Sequence, residues 1–238
     1  MSLIRPSTRR MTFLSLVLAF FAILSTETRA DLFGFGPISD NSSVSGALAA
    51  QLSVDVTEYG TNQVLFTFYN DGPLDSDYDV TNPLDSIITG VYFDDGALFD
   101  IWEIIENPPD VDFTYPANGQ ENFAEGGSLE PPFETTVGFS ASLEKGSGGV
   151  AKGVNPGESL GIAFNLKNGY DFDGVLGAIG LGVTDPASAG SLRIGVRVQG
   201  LGEDAEFSDS LLHTPTPGAM ILGMLGLSVA GMKLRKFP

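Results

Sequence analysis

In DSDYDVTNPLD (75–85), Asp75, Asp77 and Asp79 stand at alternate positions. Alternate side chains of an extended loop can converge, and carboxylate oxygens are the ligands Ca²⁺ takes. An EF-hand loop starting at Asp75 needs Gly at its sixth position and Glu at its twelfth. Val80 and Ser86 stand there, so this is not an EF-hand. The expectation is a looser Ca²⁺ loop on Asp75, Asp77 and Asp79, with a solvated acidic loop as the alternative.

The other chemistries are more narrowly bounded. The chain has one histidine, His213, and no cysteine. Disulfides, thiolate metal sites and cysteine nucleophiles are therefore excluded. A Ser-His-Asp triad would have to use His213, expected to sit in a flexible stretch beside the C-terminal segment, poor for a base held in register. KGSGGVAKG (145–153) lacks the G-x-x-x-x-G-K-[ST] spacing of a phosphate loop and reads as a hairpin loop. Paired carboxylates remain, since glycoside hydrolysis needs two acids at a fixed separation. No flanking motif nominates a pair among the 29 acidic residues between residues 31 and 232. Tyr92, Trp102 and Tyr115 have polar neighbours and could line a sugar groove, although Trp102 reads better as packing.

Such groups need a scaffold, and the chain between its two ends reads as strands broken by turns. NQVLFTFYNDGP (62–73) sets Val64, Phe66 and Phe68 against Leu65, Thr67 and Tyr69, then stops at Asn-Asp-Gly-Pro. SIITGVYFDDG (86–96) repeats the pattern, while ALFDIWEIIENPP (97–109) fits a strand or a helix face equally well. TTVGFSASL (135–143), GESLGIAFNLKNG (157–169) and SLRIGVRVQGLG (191–202) add strands, and a short helix is expected near Val175–Ile179. From Val44 onward the chain is read as starting in strand. Short strands between Gly, Pro and Asp turns, with 17 phenylalanines to fill one core, point to a mainly β protein, a single β-sandwich.

Charge divides the chain into three. Arg5, Arg9, Arg10 and Arg29 precede residue 31, and Lys233, Arg235 and Lys236 follow residue 232. Between them stand 29 acidic and five basic residues. A body this acidic repels nucleic acid and anionic membrane surfaces, and favours divalent cations or cationic polymers. At the front, a basic stretch, the apolar run Met11–Leu24 and Thr28-Arg29-Ala30 make a signal peptide over 1–30, cut between Ala30 and Asp31.

At the back, Thr214-Pro215-Thr216-Pro217-Gly218 reads as a stiff extended linker. Residues 219–232 are uncharged, and as a helix reach roughly 21 Å against a hydrocarbon core of ~30 Å. Lys233, Arg235 and Lys236 can snorkel to extend that reach and favour the cytoplasmic side.

Pro-rich motif, short apolar helix and basic terminus together resemble the PEP-CTERM sorting signal of bacterial exported proteins. Pro215-Thr216-Pro217 stands where that family has Pro-Glu-Pro, with Gly218 closing the motif. VLFTFYNDGP, GVYFDDG, VNPGESLGIAFNL and LRIGVRVQG also resemble β-rich ectodomains that carry such tails. The resemblance implies an exosortase as processing partner, transient anchoring in the inner membrane, and a destination at the cell surface or in an exopolysaccharide or biofilm matrix. The expected organisation is a signal peptide (1–30), a β-rich extracellular domain (31–213) and a sorting signal (214–238). Within the last, the motif covers 214–218, the transmembrane helix 219–232 and the basic tail 233–238. The expected function is a non-enzymatic exported surface or matrix protein; a secreted carbohydrate-active enzyme using paired carboxylates is the alternative.

Overall fold

The computed structural model describes residues 30–70, 86–95, 99–108, 110–116, 122–142, 152–167, 169–201 and 207–215. The strands are β1 (Ala30–Pro37), β2 (Leu52–Glu58), β3 (Gln63–Asn70), β4 (Ile87–Asp94), β5 (Phe99–Asn107), β6 (Phe113–Thr114), β7 (Val137–Ala141), β8 (Ser159–Leu166), β9 (Arg193–Leu201) and β10 (Phe207–Pro215). Helix α1 (Ser45–Gln51) precedes β2, helix α2 (Phe172–Thr184) precedes β9, and a 3₁₀ turn spans Gly126–Ser128. The protein is mainly β, as its alternating segments imply. All ten strands join one antiparallel sheet, in the order β5-β8-β3-β2-β1-β10-β9-β4-β7-β6.

That sheet curls until its halves face each other. Val64, Phe66 and Phe68 of β3 are fully buried, and the alternate Leu65, Thr67 and Tyr69 are only partly so. The buried rings meet partners that lie far away in strand order. Phe66 and Phe164, from β3 and β8, stand edge-on to Phe93 of β4 at 5.2 and 5.1 Å. Phe164 also meets Phe139 of β7 at 6.2 Å. Edge-to-face packing of this kind adds about 0.5–1.5 kcal/mol per pair to the burial itself. The core is a β-layer on a β-layer, but both layers belong to a single sheet.

The two sheet edges, β5 and β6, are joined by a side chain. The Glu106 carboxylate of β5 accepts the Phe113 backbone N–H of β6 at 2.9 Å. β5 itself resolves the strand-or-helix ambiguity of 97–109, pairing with β8 from Phe99↔Leu166 to Asn107↔Ser159. A register shift between Ile101 and Glu103 sets Trp102 out of that ladder.

Three readings change. Ser45–Gln51 is helical, because Ala47, Leu48, Ala49 and Ala50 are good helix formers and Leu48 is buried against the sheet. The short helix expected near Val175–Ile179 runs from Phe172 to Thr184, with Asp171 accepting the Gly174 N–H as its N-cap at 2.8 Å. Gly182 lets α2 lie flat on the start of β9, since a Cβ there would be 2.0 Å from the Leu192 carbonyl oxygen. The third change concerns the sequence after His213. Thr214 and Pro215 lie in β10, opposite Gly34 and Phe33 of β1, so the extended segment begins inside the sheet.

β1 and β10 are neighbours at the middle of the sheet, and their register puts Ala30 and Pro215 toward the same end. Asn70 and Ser86, which flank residues 71–85, lie toward the opposite end by the β2–β3 and β4–β9 registers. Among the described residues no helix is long and apolar enough to cross a membrane; residues 219–232 are outside them.

Candidate functional site

Curling brings five separate segments to one groove near the seam of the sheet. Its volume is about 200 Å³, and Asp95, Asp100, Ile101, Tyr115, Thr136, Val137 and Lys167 line it. β5 supplies Asp100 and Ile101, β7 supplies Val137, and Tyr115 immediately follows β6. The Tyr115 ring is 51% exposed yet rests on the buried Phe139 ring, centroids 5.5 Å apart. That packing orients an aromatic surface while leaving part of it in water.

The polar lining is arranged by its neighbours. Lys167, just beyond β8, pairs with Asp100 at 2.5 Å, both side chains substantially exposed. Such a pair contributes about 0–1 kcal/mol to stability, so it costs little to rearrange around a ligand. Asp95 is buried, its backbone N–H donates to the Thr136 hydroxyl at 3.0 Å, and that hydroxyl is bonded to the Asp95 carboxylate. An oriented aromatic plane, a cation, carboxylates and a hydroxyl around a small hollow make a binding geometry rather than a nucleophile–base arrangement.

Of the three aromatics considered for a sugar groove, Tyr115 is in this one. Tyr92 is not available, because it is fully buried against Phe123 at 5.4 Å. Burial raises its phenol pKa, and Arg197 offsets this in part. The side chain of Trp102 lies outside the described set.

His213 corrects the picture of a flexible residue. It is 2% exposed in β10, packed under α2. Nδ1 accepts the Ile194 N–H at 3.0 Å, and Nε2 donates to the Ile179 carbonyl at 3.3 Å. With both nitrogens held by backbone, the imidazole is a structural cross-link and not a free base. Burial is the main cause that lowers its pKa from 6.5 to about 4; the Ile179 carbonyl partly opposes this, and the Arg193 charge reinforces it.

The consequence for stability has a definite sign. Between pH 6.5 and about 4 the unfolded chain holds a proton on this ring that the folded chain does not. Its contribution, about 3 kcal/mol, is therefore complete above pH 6.5 and is lost as pH falls toward 4. Asp55 works the other way, since burial, aided by the Asp31 charge, raises its carboxyl pKa. Urea unfolding from pH 7.5 to 4.5 should thus show a steeper loss in the wild type than in His213→Gln, whatever the variant's starting stability. Equal slopes would show that His213 is protonated in the folded protein.

Other buried polar side chains are committed to the fold. Asp209 accepts from the Ser39 hydroxyl at 3.0 Å and the Asn41 backbone N–H at 2.9 Å, and is also bonded to the Ser42 hydroxyl. Asn70 donates to the Ser86 carbonyl at 2.9 Å and the Val154 carbonyl at 2.8 Å, while Gln51 donates to Asn70 at 2.8 Å. The two residues bounding 71–85 are thereby tied together.

Asp75, Asp77 and Asp79 lie outside the described residues, as do Thr216, Pro217, Gly218, Lys233, Arg235 and Lys236. Pro215 lies in β10. Ala30 and Asp31 lie in β1, opposite Thr57 and Val56, and Asp31 is close enough to Asp55 to raise its pKa. Among the described residues no group of three or more His, Cys, Asp or Glu is placed to hold a metal ion. No family model, curated protein or solved structure matches this chain.

Proposed function

We propose that the chain is a non-enzymatic exported surface or extracellular-matrix protein. In this reading a sandwich-like β ectodomain is delivered by a signal peptide (1–30) and sorted by the PEP-CTERM-like segment 214–238. The supporting observation is the pairing of β1 with β10, which puts Ala30 and Pro215 toward one end of the sheet. Leader and tail then attach to the same end of the body, and the opposite end is free to point outward.

The body's 29 acidic and five basic residues suit a soluble particle that stays clear of anionic lipid and nucleic acid. An exosortase-like enzyme is the proposed processing partner, acting on Pro215-Thr216-Pro217 after the 219–232 helix stops transfer. Lys233, Arg235 and Lys236 hold the terminus inside. Exopolysaccharide is the proposed matrix companion. The test is the state of both termini in protein recovered from the cell surface, with a variant carrying Glu at 233, 235 and 236 expected to block processing.

Ca²⁺ is the proposed ligand of Asp75, Asp77 and Asp79. Millimolar Ca²⁺ should raise the melting temperature by mass action, and replacing all three by Asn should remove the rise. An unchanged rise in the triple variant would assign it to diffuse surface charge.

The enzyme alternative is less well supported by the geometry. Asp94 is engaged by Arg193, Asp95 by Thr136, and Asp209 by three donors. A catalytic acid needs a proton free to exchange with substrate.

A further inference from the structure

We infer that the groove between Asp100 and Tyr115 binds a neutral polysaccharide, one sugar ring resting on the Tyr115 face. This deepens the matrix reading and rests on it only for where such a polymer is met.

A pyranose ring offers an apolar face of C–H bonds and a rim of hydroxyls. The groove offers the complement: the Phe139-supported ring of Tyr115 for the face, and Asp100 and Lys167 as acceptor and donor for the rim. Asp100 and Lys167 pair at 2.5 Å but are exposed, so exchanging that contact for hydrogen bonds to sugar hydroxyls costs little. Thr136 adds a hydroxyl at the lining, bonded to the buried Asp95 carboxylate behind it. The volume, about 200 Å³, is below the ~300–1,000 Å³ of sites for drug-sized ligands and suits a single ring of a longer chain.

Charge selects among polysaccharides. Asp95 and Asp100 outnumber Lys167 in the groove, and the body around it is strongly acidic. A uronic-acid polymer would be repelled both locally and at long range, whereas an uncharged chain meets no such barrier.

The test uses the full chain in a zwitterionic detergent without a sugar headgroup. It is run on native gels cast with a soluble neutral β-glucan, a galactomannan or polygalacturonate. At least one neutral polymer should retard the wild type, and polygalacturonate should not. Tyr115→Ala should weaken that retardation about tenfold, the loss of an aromatic stacking contact. Tyr115→Trp should keep it, and Lys167→Met should weaken it severalfold. An unchanged melting temperature for Tyr115→Ala separates lost binding from lost fold. No retardation by either neutral polymer, equal retardation of wild type and Tyr115→Ala, or retardation by polygalacturonate alone would overturn the assignment. Such a failure concerns the groove and leaves the export reading, which is decided by the chain termini, untouched.

Discussion

Phe93→Ala is expected to cost about 3–5 kcal/mol, enough to leave much of the chain unfolded at 37 °C. Phe93 is fully buried at the point where the two halves of the curled sheet meet. Its ring contacts those of Phe66, Phe68, Phe139 and Phe164 at 5.2, 6.1, 6.3 and 5.1 Å. Truncation removes the transfer energy of one ring and opens a cavity that the other four cannot collapse into, because they are fixed to three separate strands, β3, β7 and β8. Phe93→Leu keeps most of the volume and should cost less than half as much. Urea titrations followed by far-UV circular dichroism read both values. A loss below about 1 kcal/mol for the alanine variant would mean that the two halves do not pack through this residue.

Arg193→Met should be comparably severe, at about 3–5 kcal/mol. Arg193 is 4% exposed, and its guanidinium serves several partners. It pairs with the Asp94 carboxylate, donates to the Pro131 carbonyl at 2.7 Å and the Pro132 carbonyl at 2.5 Å, and lies 5.2 Å from the Phe133 ring centroid. Methionine fills the space but leaves a partly buried carboxylate and two carbonyls without their donor. Arg193→Lys should recover little, since an ammonium cannot span a carboxylate and two carbonyls as the planar fork does. Adding Asp94→Leu to Arg193→Met should restore part of the loss by removing the stranded charge. Limited proteolysis gives an independent readout, with new cuts expected within residues 122–136. Full stability in the single variant would show that the segment is held in place without this residue.

The sequence displayed these two residues unequally. Phe93 belongs to an apolar run, and its burial follows from a strand pattern. Arg193 alternates with Ile194 in a clean strand, and alternation alone assigns it to the solvent side. Its burial follows from the 122–136 segment, which covers the outer face of β9 and packs the Phe123 ring on Gly195, where a Cβ would be 2.6 Å from the ring. No local pattern announces a cover that arrives from 60 residues upstream. β1 and β10 were also hard to see. ADLFGFGP carries two glycines, and FSDSLLHTP places Ser208, Asp209 and Ser210 where a core strand would show apolar residues. Asp209 tolerates burial because Ser39, Asn41 and Ser42 supply donors from the far end of the chain.

The groove was legible only in part. Tyr115 stood out as an aromatic in polar surroundings. Asp95, Asp100, Thr136 and Lys167 did not, because their proximity is created by the curl of the sheet and not by sequence spacing. His213 was legible as an isolated histidine with no catalytic company. Its reason for being there, a cross-link between α2 and β9, needed the helix to be placed.

Mass spectrometry of the mature protein shaved from intact cells tests the export and sorting of this chain. An N-terminus at Asp31 and a C-terminus near Pro215-Thr216-Pro217 are expected. Recovery of an intact Lys236-Phe237-Pro238 terminus, or of a chain still carrying residues 1–30 and confined to the cytoplasm, would contradict that expectation.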